Sequence, residues 1–198
     1  MEQQLAARLT QIAARHQAAR FACSLAVEDV LIADMIPRLG LNITVFVLDT
    51  GKLQSETLAL FTMLQQHYPT LTLQRYQPQA EAAEAFEREY GMQSIYESLQ
   101  QRQLCCYIRK VESLNRALAG ADVWLSGQRR EQSANRRHLP LVEEDKQHGI
   151  TRYNPIADWS KEAVWAYTKT HDLPFNPLYL QGYPSIDCEP CTLPIRAE

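Results

Sequence analysis

The sequence lacks a long apolar run. Its longest stretches of that kind, such as residues 43–48 (ITVFVL), fall far short of the roughly 18 residues a membrane span needs. The N-terminus, MEQQLAARLTQ, is polar and carries an acid at position 2, so no secretory signal is expected. Glycine is scarce, with 7 residues in 198, and the glycine-lysine pattern of a Walker loop is missing, which disfavours an ordinary nucleotide triphosphatase. There is no internal repeat, low-complexity tract or linker, and the length favours one domain. A chain of this size buries roughly 70% of its unfolded surface and needs no disulfide scaffold. The 5 cysteines are an odd number in a chain read as cytoplasmic, so disulfides are not expected and metal binding or thiol chemistry becomes the question.

The 45% apolar and 22% charged content is that of a globular protein. The net charge of −3 is small but uneven: residues 102–137 hold eight basic side chains (102, 109, 110, 116, 129, 130, 136, 137) against three acids (112, 122, 131). A basic stretch on an acidic protein points to a small anionic ligand rather than to nucleic acid, which calls for a basic domain; a solvated helix face is the plainer alternative.

Apolar spacing predicts helices over residues 3–19, from Glu28 through Met35 to a stop near Pro37, from Ser55 on, over Ala80–Tyr90 and over Ser160–His171; a helix over Ile108–Ala117 would set Lys110 one turn from Cys106. Short β-rich runs predict strands at Arg20–Ser24, Ile43–Asp49, Leu71–Leu73 and Asp122–Ser126. Alternation of the two implies an α/β fold, a mostly parallel sheet with helices on both faces, and a ligand site beyond the carboxyl ends of the strands.

Three loops fall at those ends. Ser24, Leu25, Glu28 and Asp29 open a helix, where unpaired N–H groups can hold phosphate, although Ser24 as a simple cap serves equally. Leu48, Asp49, Thr50 and Gly51 end a strand with a carboxylate and a hydroxyl that could bond a sugar or base edge. Arg129 and Arg130, with Arg136 nearby, could clamp an oxyanion through guanidinium forks, or form a solvated charged loop.

The sharpest features are Cys105-Cys106 and Cys188-Glu189-Pro190-Cys191. Two thiol pairs distant in sequence can converge on zinc or an iron–sulfur cluster, and adjacent cysteines suit a cluster with several iron corners better than a zinc ribbon. Buried inert thiols remain the alternative. Cys23 reads as a core residue. Lys110, one turn beyond Cys106, could offset thiolate charge and reach an anion, or be an ordinary surface lysine.

The segments SLAVEDVLIADMI, VFVLDTGKLQSETL, CCYIRKVESLNRAL, WLSGQRREQS, NPIADWSKEAVWAY and LPFNPLYLQGYPSIDCEPC resemble the assimilatory, thioredoxin-dependent adenylyl-sulfate reductases of the phosphoadenylyl-sulfate reductase family, from about Phe21 to Ile195. The resemblance implies an adenine nucleotide α-hydrolase-like (Rossmann-like) fold. It implies a [4Fe–4S] cluster on Cys105, Cys106, Cys188 and Cys191, and adenosine 5′-phosphosulfate (APS) as substrate. It places the first loop near the phosphosulfate, Leu48–Gly51 near the nucleoside, Lys110 between cluster and substrate, and Arg129 with its neighbours on the sulfonyl or phosphate oxygens. The implied reaction is attack of a cysteine thiolate on the sulfur of APS, departure of AMP, and release of sulfite by thioredoxin.

Two departures accompany it. Ala26 stands where the family commonly has glycine, and the family's nucleophilic segment, reading like Glu-Cys-Gly-Leu-His, is not in this sequence. The 198 residues therefore read as one reductase domain lacking the catalytic tail. A zinc-stabilised nucleotide-binding module and a sulfate-activating adenylyl transferase are the alternatives, and the oligomeric state, a homo-oligomer included, is open.

Overall fold

The computed structural model describes residues 1–195. Helix α1 (Glu2–Arg15) buries the stripe Leu5, Leu9 and Ile12. It stops three residues before strand β1 (Ala19–Ala22), shorter than the predicted span of 3–19. Helix α2 (Val27–Arg38) is buried from Val27 to Ile36 and carries Pro37 in its last turn. Strand β2 (Thr44–Leu48) and helix α3 (Ser55–His67) fall where predicted. Strand β3 (Leu73–Tyr76) lies beyond the predicted Leu71–Leu73, because the ladder with β2 pairs Val45–Leu48 with Leu73–Tyr76.

Helix α4 (Ala80–Tyr90) ends at Gly91, whose φ of 70° is open to glycine without strain. Two short helices, α5 (Ser94–Glu97) and α6 (Leu99–Cys106), lead through a π-helical turn (Tyr107–Val111) into α7 (Glu112–Leu118). Strand β4 (Val123–Ser126) is followed by two strands the sequence reading missed, β5 (Val142–Asp145) and β6 (Ile150–Tyr153). Helix α8 (Lys161–Thr170) is capped by Ser160, whose hydroxyl accepts the Ala163 N–H at 3.1 Å.

The six strands run in the order β3-β2-β1-β4-β6-β5. All neighbours are parallel except β5, which pairs antiparallel with β6. Pleating sends alternate residues to opposite faces. Phe21, Val45, Val47, Val123 and Leu125 join the main core with residues of α1, α2, α3 and α8, whereas Phe46 and Trp124 pack with Ala117 and Leu118 of α7. The chain winds outward from β1 in one direction and from β4 in the other. The crevice between the carboxyl ends of β1 and β4 is therefore the switch point of the sheet, where such folds bind ligands.

Candidate functional site: a strand-end crevice beside four thiols

The loop after β1 turns sharply. Leu25 is fully buried yet has a φ of 65°, a left-handed conformation that costs a leucine on the order of 1–2 kcal/mol. Its side chain joins the main core. Asp29, in the first turn of α2, accepts from the Ser24 amide at 2.6 Å and from the Ser24 hydroxyl. Burial pushes the Asp29 carboxyl up to about 7; the Ser24 and Gly127 donors pull against this, and neighbouring Glu28 adds to it. Gly127 follows β4, and a Cβ there would fall 1.9 Å from Asp29 Oδ1, so only glycine allows the two loops this approach.

A second contact ties the same loops. Glu28 Oε1 accepts from Arg129 Nη2 at 2.8 Å and Nε at 3.1 Å, and from Gln132 Nε2 at 3.2 Å. Arg129 also donates to the Trp159 carbonyl at 3.2 Å and is only 4% exposed. The structure thus places Arg129 in a buried ion pair between loops rather than free in the crevice. Of the eight basic residues at 102–137, Arg109, Lys110, Arg116 and Arg129 are paired, while Arg102, Arg130, Arg136 and Arg137 have no ion pair among the described residues. Arg130 gives Nε to the Leu139 carbonyl at 2.9 Å, and Arg136 gives Nη1 to Gln132 Oε1 at 2.5 Å; their other N–H groups carry the local positive surplus.

Beyond β2, Asp49 is saturated within the protein. Its Oδ2 accepts from both Arg75 Nε (2.9 Å) and Nη2 and from Gln77 Nε2 (2.8 Å), and its Oδ1 accepts the Gly51 N–H at 3.0 Å. Burial alone would raise this carboxyl, but Arg75 and the other donors hold it below the usual carboxylate range. Asp49 therefore shapes the loop, leaving backbone groups rather than its carboxylate to face a ligand. Leu48 is half-buried at the strand end. Gly51 has φ 69°, and a Cβ there would press on Arg109 Nη1 at 3.3 Å.

The four cysteines singled out in the sequence come together. Cys105, Cys106, Cys188 and Cys191 line one cavity of about 90 Å³ with Lys52, Arg102, Arg109, Lys110 and Asp187. Cys105 and Cys106 end α6, while Cys188 precedes and Cys191 closes a 3₁₀ turn, Glu189–Cys191. Cys188 Sγ donates to Thr50 Oγ1 at 3.1 Å, joining the thiol cavity to the Leu48–Gly51 loop. Burial raises the Cys105 and Cys188 thiols, opposed by Arg109 and Lys110 respectively. Cys23, as expected, is a buried core residue, and burial with Asp29 nearby pushes its thiol well up.

Arg109 was not foreseen, although its place four residues after Cys105 was a legible signal. Its Nη1 donates to the Thr50 carbonyl at 2.8 Å and its Nη2 to Glu87, yet its buried Nε has no partner. An orphaned buried guanidinium N–H beside thiols, with four cations around them, fits a resident group that is anionic and sulfur-rich. Among the described residues no three His, Cys, Asp or Glu side chains gather closely enough to hold a single metal ion. Asp187 and Tyr179 were also missed. Asp187 pairs with Lys110, and the Tyr179 hydroxyl accepts the Val27 N–H at 3.2 Å, which lays the C-terminal segment over the first loop.

The fold and motifs are shared with known proteins. The phosphoadenosine phosphosulfate reductase domain family matches residues 18–194. The adenosine 5′-phosphosulfate reductase of Neisseria meningitidis serogroup B is 52% identical over 190 residues, which cover 96% of this chain and 77% of that protein. The enzyme of the same name from Burkholderia cepacia is 47% identical over 194 residues, 98% of this chain and 77% of that one. The crystal structure of phosphoadenylyl-sulfate reductase from Candida auris, a phosphate complex, superposes with a TM-score of 0.81 at 26% identity, covering 96% of this chain and 90% of that one. An NH3-dependent NAD synthetase from Campylobacter jejuni shares the adenine nucleotide α-hydrolase-like fold alone, with a TM-score of 0.60 at 11% identity over 90% and 74% of the two chains. The chain belongs to the phosphoadenosine phosphosulfate reductase family.

Proposed function

We propose that this chain binds APS across the switch-point crevice and serves its reduction to sulfite and AMP in cytoplasmic sulfate assimilation, with thioredoxin as the reductant. The observation that carries the reading is the convergence of Cys105, Cys106, Cys188, Cys191 and Lys110 on one cavity, joined to the strand-end loops through Cys188 and Thr50. Relatives bearing the name adenosine 5′-phosphosulfate reductase support the substrate.

The four cysteines would hold a [4Fe–4S] cluster, which supplies fixed charge and sulfur acceptors at the edge of the substrate site. Four thiols lining one cavity, two of them adjacent in sequence, support this over a single zinc ion. The protein's part is then positional and electrostatic. Asp29 with Gly127, and Glu28 with Arg129, fix the two loops that frame the crevice. Lys110, Arg130 and Arg136 would face the phosphosulfate, where charge moves onto the AMP phosphate as the sulfur–oxygen bond breaks. The attacking thiolate comes from none of the five cysteines here: four are ligands, and Cys23 is buried with a raised pKa. Binding of APS and AMP is accordingly the first activity to assay.

The test is calorimetric titration of the purified protein with APS and AMP, alongside iron analysis. Both ligands should bind, and iron should approach four per chain with broad visible absorbance. Protein that holds zinc instead of iron would refute the cluster, and absence of APS binding would refute the substrate.

A further inference from the structure

The ammonium of Lys110, on the π-helical turn, is hydrogen-bonded to Asp187 Oδ1. The same oxygen accepts the Cys188 N–H at 2.7 Å, and two residues on the Glu189 N–H is held by the Lys52 carbonyl at 2.7 Å. The carboxylate is therefore fixed to the Cys188–Cys191 segment, while Lys110, on a four-carbon stem, is the partner able to leave. Asp187 is the one acidic side chain among those lining the cavity. Of the cavity's other cations, Lys52 and Arg109 both pair with Glu87 outside the lining, and Arg102 has no ion pair among the described residues, so Lys110 is the one held by an acid of the cavity itself. The side chains of Lys110 and Asp187 are 33% and 45% exposed, so a ligand can reach the pair and solvent weakens it.

We propose that Asp187 is an internal competitor for the anionic group of the substrate. It holds Lys110, and ligand binding exchanges its carboxylate for a phosphate or sulfate oxygen on the same ammonium. Asp187 then keeps the Cys188 N–H. It is a positioning residue that sets affinity through Lys110, and this rests on the reading that Lys110 meets the substrate. The argument is one of charge: an asparagine at 187 keeps an oxygen for the Cys188 N–H and nearly the same volume but removes the competing anion.

The test is calorimetry on the iron-loaded protein with AMP and with uncharged adenosine. Asp187→Asn should tighten AMP by about fivefold, the factor a partly exposed ion pair commands, and leave adenosine unchanged. In a Lys110→Ala background the same substitution should change AMP affinity less than twofold. Unchanged or weakened AMP binding in Asp187→Asn overturns the role, as does an equal gain with adenosine or in both backgrounds. Wild-type protein that binds neither AMP nor APS overturns the substrate reading and the competitor with it. A binding wild type that Asp187→Asn merely matches overturns the competitor alone. Visible absorbance and the unfolding midpoint establish that each variant is intact.

Discussion

Asp29 offers a quantitative test of the crevice. Its carboxyl is moved from 3.8 to about 7 chiefly by burial, and it is 5% exposed, so solvent screening takes little from the effect. That displacement corresponds to roughly 4 kcal/mol between the neutral and charged forms. The sign follows from proton counting. Between about pH 4 and pH 7 the folded protein keeps the Asp29 proton and the unfolded chain loses it. This group's stabilisation is therefore complete below about pH 4, declines as pH climbs through 7, and is flat above. From pH 5 to pH 8 the decline amounts to about 2.5 kcal/mol. Asp29→Asn cannot titrate. It carries a constant cost for altered bonding to Ser24 and Gly127 but drops the pH-dependent part. Urea unfolding of wild type and variant, followed by the fluorescence of the 3 tryptophans at pH 5 and pH 8, reads the difference. The variant should lose about 2.5 kcal/mol less than the wild type over that interval. Equal losses would show that the Asp29 carboxyl is ionised throughout, and the account of the loop as a buried, protonated staple would fall.

Two further outcomes bear on the same loops. Arg129→Ala strands the buried Glu28 carboxylate and should cost about 3–5 kcal/mol in unfolding free energy, while Glu28→Gln added to it recovers part of the loss; a neutral single variant would show that the pair is not buried in solution. Gly127→Ala forces Asp29 to move and should destabilise by about 1–3 kcal/mol and weaken AMP binding at least tenfold; wild-type affinity in that variant would mean that the loops do not frame the nucleotide.

Much of the architecture was legible because burial is periodic. The stripe Leu5, Leu9 and Ile12 and the run 43–48 announce a helix and a central strand, and α4 falls on its predicted residues. The β5–β6 hairpin was not legible: Val142–Asp145 holds three acids and alternates between exposed and half-buried, so it carries no apolar run. The cysteine constellation was readable because thiol pairs are rare enough to be conspicuous by type alone. The pairing of charges was not. Arg129 was read as an anion clamp because nothing in local spacing reveals that Glu28, far back in the chain, would claim its guanidinium. The partners of Asp49, in a turn that could bond a sugar or base edge, were hidden for the same reason, since Arg75 and Gln77 lie a strand away in sequence.

The position of β1 also dictates when the crevice can exist. One edge of β1 zips to β2 after a single helix of intervening chain, but its other edge must wait for β4, with α3 through α7 made in between. Until then Glu28 and Asp29 have no opposite loop and remain hydrated. Closing so large a loop makes the β1–β4 junction a late, slow event in folding. A chain emerging from the ribosome would thus carry an open β1 edge through the making of α2 to α7, and the β1–β4 crevice would close after the β1-β2-β3 half of the sheet and before β6 and β5 are added.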